Sequence, residues 1–286
     1  QIDATAMKDE LKSGKIVVVA GFQGVDKDGR VTTLGRGGSD LSAVAIAGAL
    51  QADVCEIYTD VDGVYTTDPR IEPKARKLDT ISYDEMLELA SLGAKVLQNR
   101  SVELAKKLGV RIITRSSFNN NEGTLITKEE SMEQALVSGI ALDKNQARVT
   151  LRKIKDKPGI AAEIFSALAD ANINVDMIIQ NVGVDGATNL GFTVPQNELE
   201  LAKSTMKKVL DGIVIESDKD IAKVSIVGVG MKSHSGVASK AFKALAKEGI
   251  NIGMISTSEI KISMIVQEKY AELAVRVLHE AYELDK

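Results

Sequence analysis

The stretch TTLGRGGSDLSAVAIAGAL, residues 32–50, decides how the first half of the chain is interpreted. Gly37 and Gly38 stand between an arginine and an aspartate, and an Ala-rich segment typical of a helix follows at once. Glycines let a backbone approach a ligand closely, and the N–H groups of a helix N-terminus attract an anion. Arg36 adds a bidentate donor for a carboxylate or phosphate. The pattern indicates an anion site, although a tight turn with a solvated Arg36 and a capping Asp40 explains it about equally well.

Composition argues against several classes of partner. The net charge is −4 with both signs interspersed, and the chain has no Trp, so no basic surface or base-stacking platform for nucleic acid is expected. No apolar run approaches the roughly 18 residues of a membrane span, and no signal peptide is recognisable. The single Cys55 suits a reducing cytosol and a buried strand. We expect a cytoplasmic protein of about two domains that binds neither nucleic acid nor a membrane.

Strand and helix patterns alternate over the first half of the chain. The predicted strands are KIVVVAGF (15–22), DVCEIYT (53–59) and VRIITRS (110–116), and the predicted helices span 41–52 and 82–109. The second helical stretch opens with Ser82 and Glu85 at capping-box spacing, closes on Gly109, and contains Gly93, which predicts a break into two helices. The alternation predicts a parallel sheet with helices on both sides. Because so few strands would leave a sheet edge uncovered, we expect part of this domain to be absent.

A second polar segment, YTDVDGVYTTDPR (58–70), directly follows a predicted strand. In such sheets ligands bind at the carboxyl ends of the strands, so this segment and the glycine loop are predicted to share one edge. The segment offers hydroxyls, carboxylates and Arg70 to a polar ligand, and Lys95 supplies a further positive charge. Two polar loops at one edge of the sheet favour a ligand site over two turns that have no binding role.

These motifs resemble the C-terminal half of the catalytic domain of aspartate kinases, in the amino-acid kinase family. The resemblance rests on VVVAGFQG, TTLGRGGSD, DVCEIYTDVDGVYTTDPR and the SLGAKVL of 91–97, and it extends from about residue 13 to the C-terminus. It implies an α/β fold, here a partial three-layer α/β/α domain. The Lys-Phe-Gly-Gly phosphate-binding segment of the family's first strand has no match in this sequence. We therefore expect this chain by itself to be catalytically incomplete.

By this resemblance, the site residues of the family fall on the two polar loops. Arg36, Ser39 and Phe22 would hold the aspartate substrate, and Asp40 would orient basic groups around the transferring phosphoryl group. The residues implied for the nucleotide site are Gly37, Gly38, Thr59, Asp60, Tyr65, Asp68, Pro69, Arg70 and Lys95. Arg36, Asp40 and Lys95 are the implied catalytic residues, with Lys95 neutralising charge on the β- and γ-phosphates.

The implied reaction transfers the γ-phosphoryl group of ATP to the side-chain carboxylate of L-aspartate. A carboxylate is already nucleophilic, so catalysis reduces to in-line positioning and neutralisation of charge. The implied cofactor is ATP with Mg²⁺ carried mainly by the nucleotide. His234 and His279 have no partners at metal-ligand spacing, so we interpret both as surface residues and expect no metal site built by the protein.

The second half of the chain repeats itself. GIAAEIFSALADANINVDMI (159–178) and GVASKAFKALAKEGINIGMI (236–255) are identical at ten of twenty positions, at a constant offset of 77 residues. Each copy reads strand, helix, strand, strand, helix, and the first closes with the strand GIVIES (212–217). The segment QALVSGIALD (134–143) supplies the last strand that the second copy lacks, so one unit is predicted to be inserted in the other.

The two units resemble tandem ACT domains, the ferredoxin-like (βαββαβ) amino-acid-sensing modules of aspartate kinases. The predicted domains are the kinase part at 1–130, the first ACT domain at 145–218, and the second at 131–144 plus 219–286. The resemblance implies lysine, threonine or both as effectors. It also implies a homo-oligomer, because ACT domains commonly associate side by side.

Two loops of the first unit carry the predicted effector site. Gly159 heads a helix whose N–H groups suit an α-carboxylate, and Asp156 and Asp176 suit an ammonium group. The second copy keeps Asn251 but has Gly253 where the first has Asp176. Ordinary turns and caps explain the same residues without a ligand. The candidate effector residues are Asp156, Gly159, Ile160, Ala161, Asn174, Val175, Asp176, Gln180, Asn251 and Ile252.

Three functions stay open at this point. The first is an effector-regulated aspartate kinase. The second is a non-catalytic regulatory chain that senses amino acids, against which the GRGGSD and YTTDPR motifs speak. The third is a kinase of another amino acid or of a carbamate, which the paired ACT units disfavour.

Overall fold

The structure, a computed structural model, describes residues 2–91, 96–128, 136–155, 157–182, 187–210, 212–231 and 236–286. The N-terminal part has helices α1 (Thr5–Lys12), α2 (Gly38–Leu50), α3 (Tyr83–Ser91) and α4 (Asn99–Leu108). Its strands are β1 (Gln23–Val25), β2 (Val31–Thr33), β3 (Cys55–Thr59), β4 (Thr80–Ser82), β5 (Ile112–Ser116) and β6 (Thr124–Thr127).

Four of these strands form one sheet in the order β3-β5-β6-β4, and β1 and β2 form a separate hairpin. β3 runs parallel to β5, and β4 runs parallel to β6, but β5 and β6 are antiparallel. The strands predicted at 53–59 and 110–116 are confirmed as β3 and β5. The sheet is therefore mixed rather than parallel throughout.

The predicted signals of helix start and end in this part are confirmed. Glu85 Oε2 accepts hydrogen bonds from the Ser82 hydroxyl (2.6 Å) and the Ser82 N–H (3.2 Å), which is the capping box. Gly109 ends α4 with φ +70°, a conformation that glycine adopts without strain. The predicted break into two helices is also confirmed, since α3 ends at Ser91 and α4 begins at Asn99.

The strand predicted at 15–22 is wrong. Residues 15–21 lie in no strand, and Ile16 and Val18 are both 92 % exposed. A strand needs a neighbour that accepts its backbone hydrogen bonds, and within the described residues none lies beside this segment. The apolar side chains that predicted a strand covered on both faces are instead largely exposed to solvent.

The second half of the chain contains four helices and six strands within the described residues. The helices are α5 (Ile160–Asp170), α6 (Leu199–Val209), α7 (Val237–Lys247) and α8 (Ala271–Ala281). The strands are β7 (Gly139–Lys155), β8 (Ile178–Val182), β9 (Ala187–Val194), β10 (Val214–Val227), β11 (Met254–Thr257) and β12 (Lys261–Gln267). Among the described residues, every helix is too short or too polar to cross a bilayer.

The long strands β7 and β10 join two repeats into one sheet, in the order β11-β12-β10-β7-β9-β8. The second half of β7 and the first half of β10 belong with α5, β8, β9 and α6, which we call the first repeat. The second half of β10 and residues 139–143 of β7 belong with α7, β11, β12 and α8, which we call the second repeat. Gly139 pairs with Val227 and Asp143 with Lys223, so the N-terminal end of β7 closes the second repeat.

The three largest clusters of buried side chains follow this organisation. One lies in the N-terminal part, one in the second repeat and one in the first repeat. The first two are interlocked: Ala141 and Val227 of the shared strands lie in the N-terminal core, and Ile71 packs against the core of the second repeat. The second repeat is thus docked directly on the N-terminal part.

Candidate functional site

The glycine loop at the start of α2 is shaped by two close contacts. Gly37 caps the helix with φ +73°, and a Cβ there would lie 2.6 Å from Gln98 Cγ. A Cβ on Gly38 would lie 2.8 Å from Leu34 Cβ and 3.1 Å from Phe22 Cδ2. Neither position has room for a larger residue, so packing requires both glycines, and the positive φ of Gly37 adds a conformational requirement there.

The residues predicted to hold aspartate come together around this loop. Phe22 has φ +68°, donates its N–H to Ser42 Oγ at 3.1 Å, and accepts the Leu34 N–H at 3.0 Å. These bonds place Phe22 beside the first turn of α2, where Ser39 and Asp40 lie. The Arg36 and Ser39 side chains are exposed, so both are open to a ligand from solvent.

Two residues that the sequence analysis missed anchor the loop from α4. Gln98 donates its Nε2 to the Arg36 carbonyl at 3.2 Å, and Arg100 donates to the Leu34 carbonyl at 3.1 Å. The Gln98 Oε1 is buried and has no hydrogen-bond partner in the structure. A buried acceptor without a donor is costly, so this amide fits a site that a ligand or a water completes.

The segment 58–70 is held by polar contacts within itself and with Asn119. Arg70 forms a bidentate pair with Asp68 (Nη2–Oδ2 2.6 Å, Nε–Oδ1 3.0 Å), and these hydrogen bonds hold the pKa of Asp68 below its ordinary value. Asp62 accepts Asn119 Nδ2 at 2.7 Å, and the Thr59 hydroxyl donates to Asp60 at 3.1 Å. The carboxylates of the segment are thus partly engaged, and the Arg70 side chain, 89 % exposed, points to solvent.

This donor set does not fit a metal ion held by protein side chains alone. Among the described residues, no group of three or more His, Cys, Asp or Glu side chains could hold one. The hydrogen bonds of the described residues include none between the glycine loop and the segment 58–70. Lys95, predicted to act between them, lies outside the described residues.

In the first repeat, the predicted effector residues lie on the two expected loops. Gly159 caps α5 with φ +93° and has open space around it, and Ile160 is buried at the first turn. Asn174 is exposed and donates its N–H to Glu198 at 3.0 Å. Asp156 lies outside the described residues. The other candidates range from exposed to half-buried: Ala161, Val175 and Gln180 in the first repeat, and Asn251 and Ile252 in the second.

Asp176 already has a cationic partner, Lys223. The two side chains form an ion pair that joins the first repeat to β10 of the second. The Lys223 side chain is only 4 % exposed, whereas that of Asp176 is 41 % exposed. The carboxylate predicted to bind an effector ammonium group therefore faces the ammonium group of a lysine of this chain.

Within the described residues, three side-chain contacts join the second repeat, with Ser138 just before it, to the N-terminal part. Lys261 of β12 pairs with Glu88 of α3 at 2.8 Å, and the Ser138 hydroxyl donates to Glu85. His279 Nε2 lies 2.9 Å from the Thr66 hydroxyl, and both residues are buried.

The interpretation of His279 as a surface residue is wrong. His279 is 2 % exposed and belongs to the buried face of α8 together with Ala271, Ala274, Val275 and Leu278. The buried residues of α8 recur at i, i+3 and i+4 spacing, and this pattern in the sequence could have predicted that His279 is buried.

Comparison with known proteins agrees with this architecture. The Amino acid kinase family pattern matches residues 1–115, and the ACT domain pattern matches residues 152–210 and 224–282. Two curated relatives are aspartokinases. The one from Helicobacter pylori (strain ATCC 700392 / 26695) is 66 % identical, with all of this chain and 72 % of the relative covered. The one from Pseudomonas aeruginosa is 57 % identical, with 99 % of this chain and 70 % of the relative covered.

Solved aspartokinases share the fold. E. coli aspartokinase III, in complex with aspartate and ADP, matches with a TM-score of 0.81 and 31 % identity over 97 % of this chain. The aspartate kinase of Clostridium acetobutylicum matches with a TM-score of 0.86 and 29 % identity over 96 % of this chain. This chain spans 63 % and 65 % of those two structures, which is less than two thirds of either.

The fold and the site together define an amino acid kinase with tandem ACT domains, one inserted in the other, as predicted. Within that class the chain belongs to the aspartokinase family. The domain boundaries and the roles of individual site residues stay predictions.

Proposed function

We propose that this protein transfers the γ-phosphoryl group of ATP to the side-chain carboxylate of L-aspartate, giving 4-phospho-L-aspartate. The observation that carries the proposal is the glycine loop, where Gly37, Gly38 and Phe22 shape the backbone beside the exposed Arg36. A related protein, E. coli aspartokinase III, binds aspartate and ADP. The match to aspartokinases runs through both halves of the chain, which disfavours another phosphoryl acceptor.

In the proposed mechanism the loop binds and orients charge. Arg36 holds a carboxylate of aspartate by two parallel hydrogen bonds, and the N-terminus of α2 favours the negative charge that spreads over the phosphoryl oxygens. Asp40, in the first turn of α2, orients the basic groups around the phosphoryl group. Mg²⁺ bound to the nucleotide would supply further charge neutralisation, and the residues described here do not hold it.

Substitution of the two loop residues tests these roles in the full-length protein. Arg36→Ala should mainly raise the KM for aspartate, because it removes the carboxylate clamp, and Asp40→Ala should mainly lower kcat. A coupled assay with a panel of amino acids measures both and also tests the acceptor. Arg30→Ala, on the exposed hairpin turn, is the matched control. Interchanged effects would mean that the two roles are assigned wrongly.

We further propose that this 286-residue chain by itself has little activity. Residues 15–21 lead directly into Phe22, and Ile16 and Val18 in this segment are each 92 % exposed, so among the described residues the segment before the aspartate site is not covered by packing. Turnover should rise strongly in a version of the protein extended to the length of its relatives. Equal turnover by the two versions would contradict this.

Lysine, threonine or both are proposed as inhibitory effectors that bind the first repeat, within a cytoplasmic homo-oligomer associated through the ACT domains. Support comes from two exposed features of the first repeat, the carboxylate of Asp176 and the open N-terminus of α5 at Gly159, which lie at opposite ends of α5. E. coli aspartokinase III, 32 % identical with a TM-score of 0.79, has been solved with lysine and aspartate.

A further inference from the structure

The segment 58–70 has two faces. Tyr65 and Arg70, which carry the proposed nucleotide contacts, are half-buried and exposed, respectively. Thr66, between them, is 1 % exposed and points the other way, into the second repeat. One short stretch of backbone therefore lines the proposed nucleotide site on one side and contacts the ACT pair on the other.

The polar groups of Thr66 are all engaged. Its backbone N–H donates to the Arg76 carbonyl at 2.9 Å, and its hydroxyl accepts the Arg76 N–H at 3.0 Å. Its carbonyl accepts the Ile140 N–H of β7 at 2.7 Å, and His279 Nε2 lies 2.9 Å from its hydroxyl. Two of these partners, Ile140 and His279, belong to the second repeat, so that repeat fixes both the backbone and the side chain of Thr66.

Packing around Thr66 leaves little freedom for this contact to shift. A Cβ on Gly139 would lie 2.9 Å from the Thr66 carbonyl oxygen, so β7 can approach this closely only because position 139 is a glycine. Five residues after Thr66, Ile71 packs against the core of the second repeat. His279 shares the buried face of α8 with Leu278 and Val275, which belong to that same core.

We propose that His279 is a positioning residue for the nucleotide-binding segment: through Thr66 it holds residues 64–70 in the conformation that binds ATP. The last helix of the ACT pair thereby sets the affinity of the kinase for ATP without touching the nucleotide. This inference rests on the proposed nucleotide role of Tyr65 and Arg70.

Steady-state kinetics of the full-length protein test the contact. His279→Ala and Thr66→Val should each raise the KM for ATP about three- to tenfold, the range expected for one buried hydrogen bond. The KM for aspartate should not change, because the glycine loop has no hydrogen bond to Thr66. His279→Gln and Thr66→Ser, which keep a donor or a hydroxyl, should stay within about twofold of the parent protein.

Coupling between the two residues is a sharper test. The double variant Thr66→Val with His279→Ala should be no worse than the worse single variant, because both remove the same interaction. Tyr282→Phe is the matched control, since it removes a 2.7 Å hydrogen bond to Val237 at the end of the same helix within the second repeat. An unchanged KM for ATP, an equal rise in the KM for aspartate, or an equal effect of Tyr282→Phe would overturn the proposal.

Hydrogen exchange separates this inference from the proposed function. Amides in residues 64–71 should exchange faster in His279→Ala than in the parent protein, whether or not the enzyme turns over. Unchanged exchange there would overturn the positioning role. Faster exchange in a protein that does not phosphorylate aspartate would uphold the contact and reject the proposed reaction instead.

Discussion

Asp176 and Lys223 form an ion pair whose two ends differ in exposure. Lys223 is buried and Asp176 is half-exposed, so the carboxylate is open to a solvent-borne cation while its present partner is not. An effector that binds Asp176 through an ammonium group must compete with Lys223.

Substitutions of this pair should therefore have opposite effects on effector binding. Ligand binding at a hundredfold excess over Kd stabilises the native state by about 2.7 kcal/mol, so lysine or threonine should raise the Tm. Asp176→Ala should abolish this rise. Lys223→Met should tighten binding, because it removes the internal competitor. Calorimetry and thermal melts measure both, with glutamate and leucine as ligands that should not bind.

Lys219→Met is the matched control for this prediction, because Lys219 is an exposed lysine on the same strand, β10. Binding that is unchanged or weakened in Lys223→Met would show that Asp176 does not receive the ammonium group of the effector.

His279 also makes stability depend on pH. Burial lowers its pKa, the charges of Glu72 and Asp285 oppose that shift, and Lys74 adds to it. The pKa of a histidine in the unfolded chain is about 6.5, so as the pH falls His279 is protonated in the unfolded chain before it is protonated in the folded protein. Stability should be complete above about pH 6.5 and fall as the pH drops toward the lower pKa of the folded state. Urea melts should show a weaker pH slope in His279→Gln, and an equal slope would contradict this.

At the scale of elements, the N-terminal end of β7 is held against the segment 58–70 by close packing. A Cβ at Gly139 would lie 2.9 Å from the Thr66 oxygen and 3.4 Å from a Leu89 methyl group. The backbone of Gly139 has no positive φ, so the glycine is needed for space rather than for conformation.

Gly139→Ala should destabilise the protein by about 1–3 kcal/mol, the usual cost of overpacking. Gly191→Ala on β9 is the matched control, because a Cβ there meets nothing closer than 3.7 Å. Chemical denaturation measures both variants. An equal loss in the two would show that strand propensity, and not the contact with Thr66, sets the effect.

At the scale of the whole molecule, the cores of the N-terminal part and the second repeat are interlocked. The first repeat has a core of its own and meets the second repeat through a smaller buried cluster of Met177, Ile221, Met254 and Ile265. Val227 lies in the second half of β10 yet is fully buried in the N-terminal core. Leu168 of α5 is buried in the core of the first repeat. The two positions therefore report on different cooperative units.

Val227→Ala should cost about 1–3 kcal/mol and speed hydrogen exchange in α3 and α8 together. Leu168→Ala should speed exchange in α5 and α6 and leave α3 unaffected. Native-state exchange with peptide resolution checks both. If Val227→Ala affected α8 but not α3, the second repeat would not unfold together with the N-terminal part.

Local rules in the sequence determined much of this protein. The spacing of Ser82 and Glu85 predicted a capping box, the glycine at 109 predicted a helix end, and the 77-residue offset predicted two copies of one unit. These features depend on neighbours within a few residues or on internal similarity, which a sequence shows directly. The glycine loop was recognised for the same reason, since both close approach and positive φ demand glycine.

Tertiary structure alone decided which surfaces meet. The apolar run 15–22 reads as a strand, but a strand exists only where a neighbour accepts its hydrogen bonds. From the sequence Asp176 is expected to be a free carboxylate, but in the structure β10 places Lys223 against it. The sequence likewise does not indicate that His279 of α8 contacts Thr66. Such contacts join residues dozens to hundreds of positions apart. A helical pattern can place His279 on a buried face, but which residue each side chain meets follows only from how the elements pack.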